Sequence, residues 1–179
     1  VEQGRVVTDH GDLRASTVIR ATEAYTRDLA GARRELLPVY SYMVATEPIP
    51  GERWSEIGLD GRPTFSDDRT MVIYGQRTED DRLAFGATGV PYRFGSVIDR
   101  STEFGLASAE HVHGILCDLL SQVADVGVTH RWGGVLGIPR NWLPTVHFDE
   151  ATGLGTLGGY VGEGVAAAHL AGQTLAELI

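Results

Sequence analysis

Six apolar residues, Val112, Ile115, Leu116, Leu119, Leu120 and Val123, recur at intervals of three and four between Ser108 and Ala124. That period belongs to a helix with one buried face. Ser108 is placed to cap its start and Gly127 to end it. Most of the remaining chain reads as short β-rich runs, and this contrast sets the fold class.

Val6 and Val7 lead into the turn signal Asp9-His10-Gly11-Asp12, and Leu13 to Ile19 continue a β-rich run. This predicts a β-hairpin whose second strand ends at Ala21-Thr22, followed by a short helical stretch to Leu29. Leu36 to Ala45 reads as a long strand, with Pro38 marking an edge or an entry point. Residues 48–69 hold Pro, Gly and Asp without periodicity and are expected to be loop. Met71–Gly75 and Leu83–Thr88 predict a second hairpin around Thr78-Glu79-Asp80-Asp81, and Val128–Val135 a further strand. Pro144–Phe148 and Gly155–Tyr160 form another expected pair. A final helix spans Gly164–Ile179, with Val165, Ala168, His169, Gly172, Leu175 and Ile179 on one mostly small face, where close packing is expected. The hairpins favour antiparallel pairing and strands outnumber helices, so the class is α+β, with a largely antiparallel sheet.

The formal charge of −9 argues against a nucleic-acid partner. No window holds the roughly eighteen apolar residues of a membrane span, and no signal peptide is read at the start. Cys117 is the single cysteine, which excludes an internal disulfide and a thiolate metal cluster and points to a reducing, cytoplasmic setting. All 15 basic residues are arginine. Without lysine there is no Schiff base on this chain, no P-loop lysine and no Ser-Lys pair. The chain opens on Val1 rather than Met, as a processed tag or excision from a longer protein would leave it.

Gly153-Leu154-Gly155-Thr156-Leu157-Gly158 matches the dinucleotide pattern GxGxxG letter for letter. That pattern needs a strand before it and a helix opening at its third glycine. Here a polar turn precedes it and the helix opens later, so the match is rejected. The next stretch is more informative: Gly158-Gly159-Tyr160-Val161-Gly162-Glu163-Gly164-Val165 runs straight into the last helix. Glycines let a ligand reach the backbone there, and the free N–H groups of a helix start favour an anionic or electron-rich oxygen. The effect is worth about 0.3–1 kcal/mol when exposed and up to ~2 when partly buried. The alternative is a glycine-rich turn that binds nothing.

His111 and His113 flank Val112 and lie on different helix faces, and His10, His130, His147 and His169 show no ligand spacing, so no metal site is expected. No histidine stands out as a catalytic base, and the catalytic residues are not assigned. Arg93, in Gly89-Val90-Pro91-Tyr92-Arg93-Phe94-Gly95, could form a bidentate pair with a carboxylate or a plain surface ion pair. Trp132-Gly133-Gly134 and Pro139-Arg140-Asn141-Trp142 bring aromatics and glycines together, for which core packing is the ordinary explanation.

Three stretches taken together resemble one family. Val18-Ile19-Arg20-Ala21-Thr22-Glu23-Ala24-Tyr25, then Leu37 through Pro48, then Trp132-Gly133-Gly134 through Leu143-Pro144 and Gly158 through Val165, are similar in order and spacing to the D-amino-acid oxidase-like flavoproteins. The resemblance covers nearly the whole chain and is nearest in flavour to the glycine oxidase and gamma-glutamylputrescine oxidase group. It implies an enzyme oxidising a C–N bond of an amine or amino acid by hydride transfer to non-covalent FAD. Residues 1–35 and 153–179 would belong to the flavin lobe and 36–152 to the substrate lobe. Thr22, Gly159, Tyr160, Val161, Gly162, Glu163, Gly164 and Val165 would meet the flavin; Tyr92, Arg93, Trp132 and Arg140 would meet the substrate. The family's phosphate-binding GxGxxG should precede this sequence, so the chain alone is expected to bind FAD weakly or not at all and not to turn over. A non-enzymatic small-molecule-binding module derived from such an enzyme is the competing reading. Exposed strand edges could also pair between chains, giving a homodimer.

Overall fold

The computed structural model describes residues 4–70, 72–88, 94–95 and 97–179. In chain order its elements are β1 (Arg5–Thr8), β2 (Gly11–Arg14), β3 (Val18–Arg20), a 3-10 turn (Glu23–Asp28), β4 (Leu36–Thr46), α1 (Gly51–Ile57), β5 (Thr64–Ser66), β6 (Ile73–Arg77) and β7 (Leu83–Thr88). A second 3-10 turn (Arg100–Thr102), α2 (Leu106–Leu119), a third 3-10 turn (Ser121–Val123), β8 (Val128–Pro139), β9 (Thr145–Asp149), β10 (Leu154–Gly158) and α3 (Gly164–Leu178) follow. They form two units: Val1–Pro38 with Leu136–Ile179, and Val39–Val135. The fold is mixed α+β.

In the first unit β1 and β2 make the expected hairpin, with Val6 opposite Leu13. Its second strand does not run on to Thr22. It stops at Arg14, with one further rung from the Ala15 N–H to the Gly4 carbonyl, and the Val18 N–H then goes to the Gly153 carbonyl. β3 thereby leaves the hairpin and pairs parallel with β10, which pairs antiparallel with β9. The residues between, Ala15-Ser16-Thr17, carry no breaker such as Gly or Pro, so the sequence does not show this exit.

α3 covers β9 and β10 through a face that shares only Leu175 with the expected one. Ala171 and Leu175 are buried, with Leu175 lying over Gly155, while Val165 is 100% and Ile179 55% exposed. Ala168, His169 and Gly172 are exposed too. A Cβ on Gly172 would meet nothing within 4 Å. Gly172→Ala is therefore expected to raise the stability of this chain by about 0.5–1 kcal/mol, read from the urea midpoint. A lowered midpoint would show that this face is packed after all.

In the second unit the sheet runs β5-β6-β7-β4-β8. Alternate residues of its strands, Tyr40, Tyr42 and Val44, Leu83, Phe85 and Ala87, with Ile73, form a buried face. Ala109, Val112 and Leu116 of α2, with Val123 and Trp54, complete that core. The helix spacing read from sequence thus marks most of the buried stripe, with Leu119 exposed, but the helix starts after Gly105 rather than at Ser108 and ends at Leu119. The 3-10 turn beyond it keeps Val123 buried, which carries the apolar spacing past the helix end.

The stretch 48–69 is not all loop. It holds α1, entered from Pro50 and closed by Gly58 in the left-handed region at φ 81°, and it holds β5. The β6/β7 hairpin forms as expected, with Arg77 opposite Leu83, and β8 runs four residues beyond Val135. Pro38 precedes the paired stretch Ser41–Ala45 of β4, consistent with an entry point.

Candidate functional site

The first unit is organised around a residue to which sequence reasoning gave no role. Glu23 follows β3 with φ 44°, in the left-handed region that a non-glycine residue seldom occupies. Its Oε1 accepts the N–H groups of Gly159 at 2.7 Å and Tyr160 at 3.1 Å, and its Oε2 accepts the Gly137 N–H at 3.1 Å. Three segments are tied by one carboxylate: the end of β3, the end of β8 and the turn after β10. No spacing rule could mark Glu23, since its partners lie 114, 136 and 137 residues away. Next to it, the Thr22 hydroxyl is 2.8 Å from that of Thr26.

The turn itself is built on left-handed backbone, with Gly159 at φ 74°, Val161 at 56° and Gly162 at 104°. A Cβ at Gly159 would stand 3.0 Å from the Pro139 ring, so the turn and the end of β8 approach at backbone distance. The Glu163 N–H donates to the Tyr160 carbonyl, and α3 then opens with the Ala167 N–H on the Glu163 carbonyl. Glu163, at the N-cap, makes no side-chain cap. Among the described residues no side chain caps the N–H groups of the first turn of α3, which stand at the positive end of a 15-residue helix. The N–H groups of Gly159 and Tyr160, by contrast, are already committed to Glu23.

The Tyr160 hydroxyl is buried, with no hydrogen-bond partner among the described residues. Burial, and after it the Glu23 charge, push its phenol above the ordinary value of 10.0. The folded state therefore holds a proton that the unfolded chain releases first. This contribution is intact below pH 10 and is lost as pH rises through the raised folded value. Tyr160→Phe is expected to leave stability unchanged at neutral pH or raise it by up to ~1 kcal/mol, and to remove that alkaline loss. Urea midpoints at neutral pH and above pH 10 check both.

Arg140 is exposed and follows β8 directly, one residue after the proline that faces Gly159. Trp132 belongs to the second unit, on β8, where it is 37% exposed beside His130, Arg131 and Phe104. Tyr92 and Arg93 lie outside the described residues. A cavity of about 120 Å³ in the first unit, lined by Arg20, Thr26, Glu35, Leu36, Pro139 and Thr156 among others, contains none of the sequence-derived site residues.

The rejected GxGxxG match has a plain structural explanation. Gly153 sits in the β9–β10 turn at φ 68°, and Gly155 and Gly158 lie within β10. Among the described residues no group of three or more His, Cys, Asp or Glu is arranged to hold a metal ion. His113 Nε2 lies 3.6 Å from Cys117 Sγ, and burial pushes that thiol up, as the neighbouring Asp118 does to a lesser degree. No helix of the described residues is long and apolar enough to cross a membrane.

The sequence model of the family described as FAD dependent oxidoreductase matches residues 1–178. This chain belongs to the FAD-dependent oxidoreductase family. It is 30% identical over 174 residues to "Probable oxidoreductase OrdL" of Rhizobium meliloti (strain 1021), covering 97% of this chain and 38% of that protein. The protein of the same name from Haemophilus influenzae is 29% identical over 168 residues, covering 90% of this chain and 35% of its own length. Two solved structures share the fold. Glycine oxidase from Geobacillus kaustophilus superposes with a TM-score of 0.75 at 18% identity, over 97% of this chain and 44% of that one. L-proline dehydrogenase from P. horikoshii does so with a TM-score of 0.74 at 18% identity, over 98% and 45%. The chain thus spans less than half the length of these relatives.

Proposed function

We propose that this chain is the carboxyl-terminal part of an FAD-dependent oxidoreductase that oxidises a C–N bond of an amine or amino acid. The carrying observation is the turn Gly159–Val165, clasped by Glu23 and opening into the uncapped start of α3. Residues 1–35 and 153–179 serve the flavin and residues 36–152 the substrate. Thr22 and Gly159 to Val165 hold the cofactor, and Tyr92, Arg93, Trp132 and Arg140 orient the substrate. The donor set fits the group: backbone N–H groups at a helix start suit the oxygen-bearing edge of a flavin ring, where negative charge develops on reduction.

FAD, when bound, supplies the hydride acceptor. The substrate carbon gives up its hydride with the bonding electron pair, the nitrogen lone pair forms the C=N bond, and the nitrogen proton leaves to solvent. The chain's part is to present positive backbone dipoles where charge accumulates and to orient the substrate. The amino-terminal nucleotide-binding segment of the parent protein is the partner that seats the adenosine diphosphate half, and without it this chain does not turn over. A single cysteine, half-buried Cys117, is in keeping with a reducing cytoplasm.

The names of the structural relatives, which specify glycine and L-proline, support small amines with a hydrogen on the carbon beside nitrogen. The test is anaerobic mixing of the whole FAD-loaded protein with glycine, L-proline and simple primary amines. Bleaching of the oxidised-flavin band by at least one of them is expected. A flavin that dithionite bleaches but no amine or amino acid does would overturn the reading.

A further inference from the structure

We infer that Glu23 is a positioning residue for the flavin, because its carboxylate clasps the N–H groups of Gly137, Gly159 and Tyr160 and so fixes the turn from which α3 opens. The inference rests on the flavin reading above and adds to it a residue outside the set proposed there to hold the cofactor or the substrate.

Two unfavourable features coincide at this position. The backbone is left-handed, where glycine or asparagine would be less strained. The side chain is a half-buried carboxylate, and among the described residues no arginine pairs with it. Among the described residues its printed hydrogen bonds come from backbone N–H groups, an arrangement that holds only while all three donors stay in place. A loop with no task beyond closing the chain would be better served by a glycine here. The site keeps a residue whose use is the clasp.

The clasp also sorts the donors of the turn. It takes up the N–H groups of Gly159 and Tyr160, while the N-cap residue Glu163 leaves the start of α3 without a side-chain cap. With the carboxylate removed, the Gly159 and Tyr160 pair would lose its acceptor, and Val161 and Gly162 would no longer be held at their left-handed angles. The expected consequence is misplacement of the helix start relative to the ring rather than loss of the fold.

Three variants of the whole protein separate positioning from bulk stability. Glu23→Gly relieves the backbone and removes the acceptor. Glu23→Gln keeps one amide oxygen, enough for Gly159 and Tyr160 together, and opposes an NH2 to the Gly137 N–H. Leu116→Ala destabilises the second unit without touching the clasp. The readouts are the FAD dissociation constant, the visible circular dichroism of bound flavin, and amide hydrogen exchange of Gly159 and Tyr160 in the apo-protein.

Positioning predicts about tenfold or greater weakening of FAD binding in Glu23→Gly, comparable to losing one charge-assisted hydrogen bond. It also predicts an altered flavin dichroism, faster exchange at both amides and a smaller defect of the same kind in Glu23→Gln. Leu116→Ala should bind FAD as wild type does. If Glu23→Gly and Glu23→Gln lose stability yet bind FAD with wild-type affinity and dichroism, Glu23 is merely structural and the inference fails; should Glu23→Gly not fold, Glu23→Gln decides alone. A wild-type protein that takes up no FAD would overturn the flavin reading itself, and this inference with it.

Discussion

Phe85→Ala lowers the stability of the second unit by about 3–5 kcal/mol, read as a shift of its urea midpoint at unchanged slope. Phe85 is fully buried at the centre of β7, directly across from Val44 on β4 and Gly75 on β6. Its ring stacks on Phe65 at a centroid distance of 6.3 Å. The Phe65 ring in turn lies over Gly75, in the space where a Cβ would stand, and only one side of the vacancy borders it. The hole therefore persists, and the lost transfer energy is joined by the cost of an empty cavity. Against a typical total of about 5–15 kcal/mol the change is large enough to unfold the unit at physiological temperature. A loss below about 1 kcal/mol would mean that the core assigned to α2 and the sheet is not formed as described.

Gly153→Ala is the second large effect, at about 2–4 kcal/mol. Gly153 has φ 68°, and a Cβ placed there would overlap the Ser16 carbonyl oxygen. Neither side of that contact can move freely. The Gly153 carbonyl receives the Val18 N–H at 2.9 Å and its N–H donates to the Asp149 carbonyl at 2.8 Å, which seals the β9–β10 turn. Relieving the overlap would part β3 from β10, which pair in parallel. Thermal unfolding of the variant checks this, and an unchanged midpoint would contradict the described contact between the turn and Ser16.

These two sites also show which parts of the molecule its sequence discloses. The α2 stripe was legible because burial on one side of a helix forces a three-and-four spacing, and Val112, Leu116 and Val123 are indeed buried. The hairpins β6/β7 and β9/β10 were legible because polar turns separate β-rich runs. α1 was not: seven residues make fewer than two full turns, too few to establish a period, and its only deeply buried side chain is Trp54. The face of α3 was misread because every candidate face holds alanine or glycine, so composition does not distinguish the side that packs.

The candidate site was half legible. The glycine-rich approach to α3 stood out because close backbone approach needs glycine, and the structure places left-handed angles at Gly159 and Gly162. Glu23 did not stand out, since a glutamate three residues after Arg20 is ordinary by composition and its meaning comes only from partners far along the chain. Long-range backbone capture of a carboxylate leaves no local pattern to read.

The central proposal is that the turn Gly159–Val165 meets the flavin and that the adenosine diphosphate half of FAD is seated outside these 179 residues. The most direct test is a titration of the purified chain with FAD, followed by flavin fluorescence and absorbance, alone and with the separately expressed amino-terminal part of the parent protein. The account predicts no yellow complex with the chain alone and a yellow complex once the other part is added. Tight, stoichiometric FAD binding by the chain alone would contradict it.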